Sequence, residues 1–459
     1  MSHAPHEPAA PHPDGERAAE TLERGLGRRG FVQAALATGA LLAAGVATAG
    51  PAAARPTGRT RLPGQILQPG KGPIDGDVYL PSRPDQVLWG YLPRTTDAPV
   101  ARVRSGRTIT VDTVSHEGLL EDQGRDPVAW FGSNGVPRDQ VLEDAVAIAK
   151  QYARHPRNFD VDGPHVVTGP VYVEGARPGD VLKIEPLSGL PRVPYGVISS
   201  RHGRGALSAS FAGAGGITAG EVMPNTPDGR ATGDPKTYNN VSVFTPVANR
   251  GGVPSASLPA GRGRVSWPID PFAGLMSVAT VGTTRELNDP LVNSIPPTVG
   301  GGNIDVRLLN VGSAFYLPVV APGALFSVGD PHMSMGNGEV ALTALEGSLR
   351  LTFRLTVCRK GSSDAPSVAF RYPFGETPDA WVPIGLSDPD GAGGGANVSD
   401  LDIANRRAVV NALDFLQNDK GMDRAVAYAY LSAAVDFQVS QVVDRTVGVH
   451  GVIPKSHFR

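Results

Sequence analysis

The sequence predicts a mainly β protein, a sandwich or barrel with a few peripheral helices, and three observations carry that expectation. Glycine and proline number 57 and 42, which suits short strands joined by tight turns better than a helical bundle. Arg107 to Val114 alternates β-branched with polar residues, and Leu349, Leu351, Phe353, Leu355 and Val357 alternate with Arg350, Thr352, Arg354 and Thr356. A two-residue period marks strands with one buried face. Helical spacing of apolar residues shows at Asp139 to Arg154, Arg406 to Gln417 and Asp423 to Ser432, the last two separated by Gly421.

Taken in order, the chain opens with residues 1–27, polar and rich in Pro and Ala, which lack the apolar content to build a core. Arg28-Arg29-Gly30-Phe31 and a weakly apolar run from Val32 to Ala49 follow, with small-residue cleavage sites at Ala47-Thr48-Ala49 and Ala52-Ala53-Ala54. Paired arginines before a diluted apolar stretch resemble a twin-arginine export signal. Residues 1–54 are therefore read as a disordered leader and signal. The export machinery is then a partner and the destination extracellular or periplasmic. The apolar run is barely long enough to span a bilayer and is diluted by Gly and Thr, so no stable membrane span is expected after processing.

Residues 55–75 read as a linker, 76–270 as an N-terminal β-rich part and 271–459 as a C-terminal β-rich part with a two-helix element, sharing one active site. The strand from Arg107 ends in Ser115-His116-Glu117-Gly118. Gly163 to Val173 and Val181 to Ile184, joined through Arg177-Pro178-Gly179-Asp180, read as a hairpin. Residues 200–268, with repeated glycines, predict irregular structure and subunit contacts, a homodimer being the expected assembly. Strands return from Gly300 to Val357, with Cys358 following on the polar side. Residues 385–400 form a Gly/Asp/Ser loop, and Thr446 to Pro454 a closing strand.

Composition narrows the function classes. A net charge of -2 leaves no basic excess to neutralise phosphates, which argues against a nucleic-acid partner. The single cysteine, Cys358, excludes an intrachain disulfide and a Cys-rich zinc site, so any metal must be held by His and carboxylates. A thiol nucleophile would have to be Cys358, which ends a regular strand and reads as structural. His332-Met333-Ser334-Met335-Gly336 only approximates a serine-nucleophile elbow, lacking the first glycine.

The most informative stretch is Gly329-Asp330-Pro331-His332-Met333-Ser334-Met335-Gly336-Asn337-Gly338-Glu339-Val340. It places Asp, His and Glu, residue types that hold a hydrolytic metal or move protons, within one glycine-punctuated turn between strand-like runs. Together with Val111-Asp112-Thr113-Val114-Ser115-His116-Glu117-Gly118, with Gly169-Pro170 running to Gly179-Asp180, and with Gly301-Gly302-Asn303-Ile304-Asp305, it resembles the acetamidase/formamidase family of metal-dependent amidohydrolases. The resemblance covers about residues 75–455. Two departures concern substrate and metal number. The family often has Glu-Thr-x-Asp where this chain reads Asp112-Thr113-Val114-Ser115, and formamidase-like members tend to carry an acid where Asn337 stands.

The resemblance implies hydrolysis of a short linear amide to carboxylate and ammonia. It also implies a divalent metal, zinc before others, with a second such as calcium as a further candidate. Asp112, His165, Asp330, His332 and Asp305 fit the ligand role by residue type and analogy. Asp330 and His332, two apart, point the same way in an extended segment. Four residues of strand put Asp112 and His116 about 13 Å apart, too far for one metal without a bulge. Glu339 is the candidate general acid/base, with Glu346 and His116 as further proton carriers, though strict alternation sets Glu346 on the opposite face from Glu339. Asn303 and His202 are candidates for holding substrate, and His450 reads equally as an ordinary core or surface histidine. The alternative is a catalytically silent, exported member of the same family that binds a small ligand in the same cleft.

Overall fold

The computed structural model describes residues 60–201, 204–207, 240–280, 292–389 and 399–458. The export-signal region and His202 lie outside the described residues. Among these residues the chain is mainly β, built on two large mixed sheets. The nine-stranded sheet runs, in spatial order, Val78–Leu80, Arg107–Asp112, Leu349–Cys358, Val181–Pro191, Ala314–Pro318, Phe374–Glu376, Ala380–Leu386, Gly448–Pro454 and Asp436–Gln441. The second sheet runs from Gly263–Pro268 through Val253–Ala260, Asn240–Arg250, Tyr195–Arg201, Leu345–Glu346 and Phe326–Ser334 to Phe272–Ser277 and Gly301–Asn303. Val166–Glu174 joins it through Phe326–Ser334. One apolar core draws side chains from both sheets, Ile109, Leu351 and Phe353 from the first and Val171, Met276 and Val328 from the second. Stacked sheets bury their inner faces against each other in this way.

Several sequence expectations change once long-range pairing is seen. Val166–Glu174 and Val181–Pro191 do not form a hairpin; the turn at Arg177 to Asp180 sends them into different sheets. The strand Leu349–Cys358 is one-sided only in its second half: Arg350 and Thr352 are buried like Leu351, while Arg354 is exposed. Cys358 belongs to that strand and is buried, its thiol pushed up to about 11 by the burial. Residues 240–268 are a regular antiparallel meander rather than irregular structure, with glycines at the turn between Arg250 and Val253. Among the described residues the α-helices are Pro127–Ser133, Glu143–Gln151, Leu401–Lys420 and Arg424–Ala434. The first was not foreseen; it is short, and its start is set by Asp126, whose carboxylate accepts from the amides of Val128 and Ala129.

Asp112 explains part of this reshuffling. Its carboxylate accepts from Arg350 Nε at 2.6 Å, Arg350 Nη2 at 2.9 Å and the Tyr79 hydroxyl at 2.6 Å. Burial and this carboxylate push the Tyr79 phenol up to about 12. Arg350 also donates to the carbonyls of Gln68, Lys71 and Pro73, and Leu67 is buried with its amide on the Arg192 carbonyl at 2.8 Å. One buried guanidinium thus fastens residues 68–73 to the central strands. Removing one member of a buried pair costs about 3–5 kcal/mol because the other charge stays desolvated. Arg350→Met is expected to lower unfolding free energy by about that amount in urea titration. A loss below about 1 kcal/mol, the range of an exposed pair, would show that the pair is not a cross-link.

Candidate metal centre

The centre is built on Phe326–Ser334, which is strand where the sequence suggested a turn. Asp330 and His332 lie on it two residues apart and do face the same way, with His332 Nε2 at 2.9 Å from Asp330 Oδ2. The neighbouring strand pairs Ala273 with Pro331 and Leu275 with Gly329, which sets Gly274 opposite Asp330. A Cβ at Gly274 would lie 2.3 Å from Asp305 Oδ1, 2.6 Å from His332 Cε1 and 2.8 Å from Asp330 Oδ2. Only a glycine lets these three side chains close over the strand. Residues 335–344 then loop out and return as Leu345–Glu346, paired with His332 and Ser334. That loop, with a register irregularity between His332 and Ser334, brings Glu339 and Glu346 to the same side. It is pinned from the C-terminal region by Gly338 N donating to the Ser440 carbonyl at 2.8 Å and Asn337 Nδ2 to Gln438 Oε1 at 2.6 Å.

Three ligand groups converge here: His116, His165 and Asp330; Asp305, His332 and Glu339; Asp330, His332 and Glu346. Asp330 is shared, its Oδ1 lying 3.8 Å from His116 Nδ1 and 3.7 Å from His165 Nε2, while Oδ2 faces His332. His332 Nε2 is also 3.1 Å from Glu346 Oε1 and 3.8 Å from Glu339 Oε1. Both His332 nitrogens are nevertheless buried without a hydrogen-bond partner, as are His116 Nδ1, Asp330 Oδ1, both Asp305 oxygens, Glu339 Oε2 and Glu346 Oε2. So many nitrogen and oxygen donors crowded round the few protons His332 can offer form an arrangement that could hold one cation. Asp305, Asp330 and Glu339 also take positive φ of 51°, 50° and 46°, an uncommon backbone that tends to persist at functional sites.

The electrostatics agree. Burial, with Asp444 beside it, pushes the Asp305 carboxyl well up; burial and Asp305 do the same for Glu339, and burial and Asp330 raise Glu346. Burial opposes a charge on His332, but Glu346 and Asp330 prevail and hold its pKa well above the usual imidazole range. Burial lowers His165 to about 4, keeping it a neutral lone-pair donor, with its Nδ1 against Ser294 Oγ at 2.9 Å. Carboxyls raised by burial and by one another are short of compensating positive charge, which a divalent ion could supply. The set offers N and O donors, suiting zinc and harder divalent ions.

The sequence-derived candidates thus separate. His116, His165, Asp305, Asp330, His332, Glu339 and Glu346 come together, and Asn303 joins them on the same cavity with its Oδ1 buried and unpartnered. His116 stands with His165 and Asp330 in a group that could hold a metal. Asp112 is apart, its carboxylate taken by Arg350 and Tyr79. His450 is buried with its Nδ1 on Ser440 Oγ at 2.8 Å. Asp444, unforeseen, packs beside Asp305 and Glu339 and is pushed well up by burial and Glu339; it stands in an ordinary-looking Val443-Asp444-Arg445 run that carries no sequence signal. The cavity, walled on its apolar side by Leu120, Phe159 and Ile295, leaves about 90 Å³ open to the centre of a water-sized molecule. That is room for a few waters or a small amide.

Residues 268–459 match the sequence profile of the Acetamidase/Formamidase family. Known relatives extend the likeness. A candidate formamidase of Schizosaccharomyces pombe is 28% identical over 51% of this chain and 59% of its own length. The formamidase of Methylophilus methylotrophus is 24% identical over 63% of this chain and 75% of its own, and the acetamidase of Mycolicibacterium smegmatis 30% over 40% and 51%. The chain therefore spans about three fifths of the first of these and half of the third. Among solved structures, the acetamidase of Bacillus halodurans superposes with a TM-score of 0.57 at 23% identity, covering 83% of this chain and 98% of that one. The acetamidase of Yersinia enterocolitica gives 0.57 at 22% identity over 86% and 96%. These likenesses establish the fold.

Gly274→Ala tests the packing of the centre directly. The added methyl is expected to push Asp305 and Asp330 out of register and weaken zinc binding at least ten-fold in competition with a chromophoric chelator, the range for disturbed ligand support. Unchanged zinc affinity in a folded variant would mean that the ion does not sit over this strand.

Proposed function

We propose that the chain hydrolyses the C–N bond of a short linear amide, acetamide- or formamide-like, to a carboxylate and ammonia, with a divalent metal held by His116, His165 and Asp330. The observation that supports this best is the convergence of partnerless, buried nitrogen and oxygen donors on one small cavity. The matched family and the named relatives supply the reaction class. Zinc suits the N₂O set best; Asp305, His332 and Glu339 form an adjacent oxygen-richer set that would suit a second ion such as calcium.

A bound divalent ion supplies a water of lowered pKa and polarises the amide carbonyl. The protein's own groups do the rest. Asn303 Oδ1, buried and unpartnered, accepts from the amide nitrogen and orients it. Glu339, at the cavity wall, takes the proton released by the attacking water and returns it to the departing nitrogen. If Glu339 is engaged by a second ion, Glu346, whose Oε2 is also free, is the carboxyl left to carry that proton. Leu120, Phe159 and Ile295 keep bulk water and longer substrates away.

Ammonia release from acetamide and formamide is expected to vanish on chelation and to return with zinc. His165→Ala is expected to lose both metal and turnover. Glu339→Gln is expected to keep the metal and lose about 10²–10⁴ in turnover, the usual worth of a positioned acid/base. A wild-type rate in Glu339→Gln with a slow Glu346→Gln would move the proton role to Glu346. Tight amide binding without ammonia release would instead make the chain a ligand-binding protein.

A further inference from the structure

His116 is held from behind by charged residues that the hydrolytic scheme does not use. Glu117 is 1% and Arg201 4% exposed. Arg201 Nη1 donates to Glu117 Oε1 and Nη2 to Glu117 Oε2, each at 2.8 Å, a bidentate fork. Its Nε donates to Asp122 Oδ2 at 2.7 Å, so the guanidinium is gripped on two edges. Gln123 Nε2 donates to Glu117 Oε2 as well, and Gln123 Oε1 accepts the Gly118 amide at 2.6 Å. Glu117 therefore cannot turn. Its Oε1 lies 3.4 Å from His116 Nε2, while His116 Nδ1 is buried, partnerless and directed to Asp330 Oδ1.

We infer that Glu117, locked by Arg201, is a positioning residue that keeps the proton of His116 on Nε2 and presents the Nδ1 lone pair to the metal. Two charges of one sign and one of the other are buried at the clamp, and burying an uncompensated carboxylate is costly. A ring N–H directed at Glu117 offsets that cost, and a cation on the far side of the ring makes the N–H a stronger donor. Imidazoles that bind metals are commonly fixed in this way from behind. Arg201 matters because a free Glu117 could rotate away; a bidentate fork sets both distance and plane. Gln123 belongs to the short turn Glu121–Gln123, so the loop after His116 is itself part of the clamp.

This inference rests on the proposed metal-dependent reading, and the experiment separates the two. The full chain is stripped of metal and titrated with zinc against a chromophoric chelator, then with cobalt(II) while the visible ligand-field spectrum is recorded. Wild type is expected to bind both. Glu117→Gln is expected to bind zinc about 10–100-fold more weakly, the usual effect of losing such a partner. Its cobalt spectrum should be altered. Asp122→Asn, which loosens only the outer grip on Arg201, is expected to show a smaller loss. It decides the matter if Glu117→Gln does not fold. Arg201→Lys should fail to restore the wild-type spectrum, since an ammonium cannot make the fork. Wild-type affinity and spectrum in folded Glu117→Gln would overturn the inference even if turnover fell, as would wild-type values in Asp122→Asn where Glu117→Gln does not fold. If wild type bound neither ion yet released ammonia, the metal-dependent reading would fail and take this inference with it.

Discussion

Buried like charge governs this molecule. Asp305, Asp330, Glu339, Glu346 and Asp444 are all less than a tenth exposed and meet around His332. In water such groups would simply ionise and repel weakly; inside a protein each uncompensated carboxylate is expensive. The fold has to hold them together, and their charge must be offset by His332, by protons or by a bound cation. The left-handed backbone of Asp305, Asp330 and Glu339 and the required glycine at 274 all follow from forcing these side chains into one place.

A second buried charge cluster shows how the protein treats carboxylates it does compensate. Asp112 meets Arg350 bidentately, with Tyr79 on the same oxygen as Arg350 Nη2. Arg192 joins from 3.6 Å and also grips Asp144 at 2.8 Å on the helix Glu143–Gln151. Every charge there has a protein partner, and the cluster ties that helix, the central strands and residues 67–73 together. At the cavity Asp305 and Glu339 face His332 at 3.7 and 3.8 Å but receive, among the described residues, no bidentate guanidinium such as Asp112 has, and that contrast sets a structural cluster apart from a group that could hold an ion.

The sequence made much of the centre legible and misled in places, for physical reasons. Period-two alternation located strands such as Arg107–Asp112 and Leu349–Cys358, because pleat geometry is local. It could not show that the first half of the second is buried on both faces, since that depends on which distant segments cover each face of the sheet. The spacing of Asp330 and His332 gave their shared face directly. For Glu346 a strict alternation count gives the opposite face from Glu339 because it assumes an unbroken strand, whereas residues 335–344 leave and re-enter the sheet with a register irregularity between His332 and Ser334. Asp112 is an acid at the end of a strand and looks like a ligand; only the distant Arg350 and Tyr79 show that it is not free. Asp444 and the Arg201 clamp were invisible for the same reason, being ordinary residues made special by long-range contact.

Anomalous diffraction from crystals of the purified protein, collected on both sides of the zinc edge, tests the central claim most directly. An ion held as described gives a peak about 2 Å from His116 Nδ1, His165 Nε2 and an Asp330 oxygen, the usual length of such bonds. Any second ion should lie between Asp305, His332 and Glu339. Well-ordered water at those positions with no anomalous signal, in protein that hydrolyses amides, would contradict it, because the buried carboxylates would then be neutralised by protons alone.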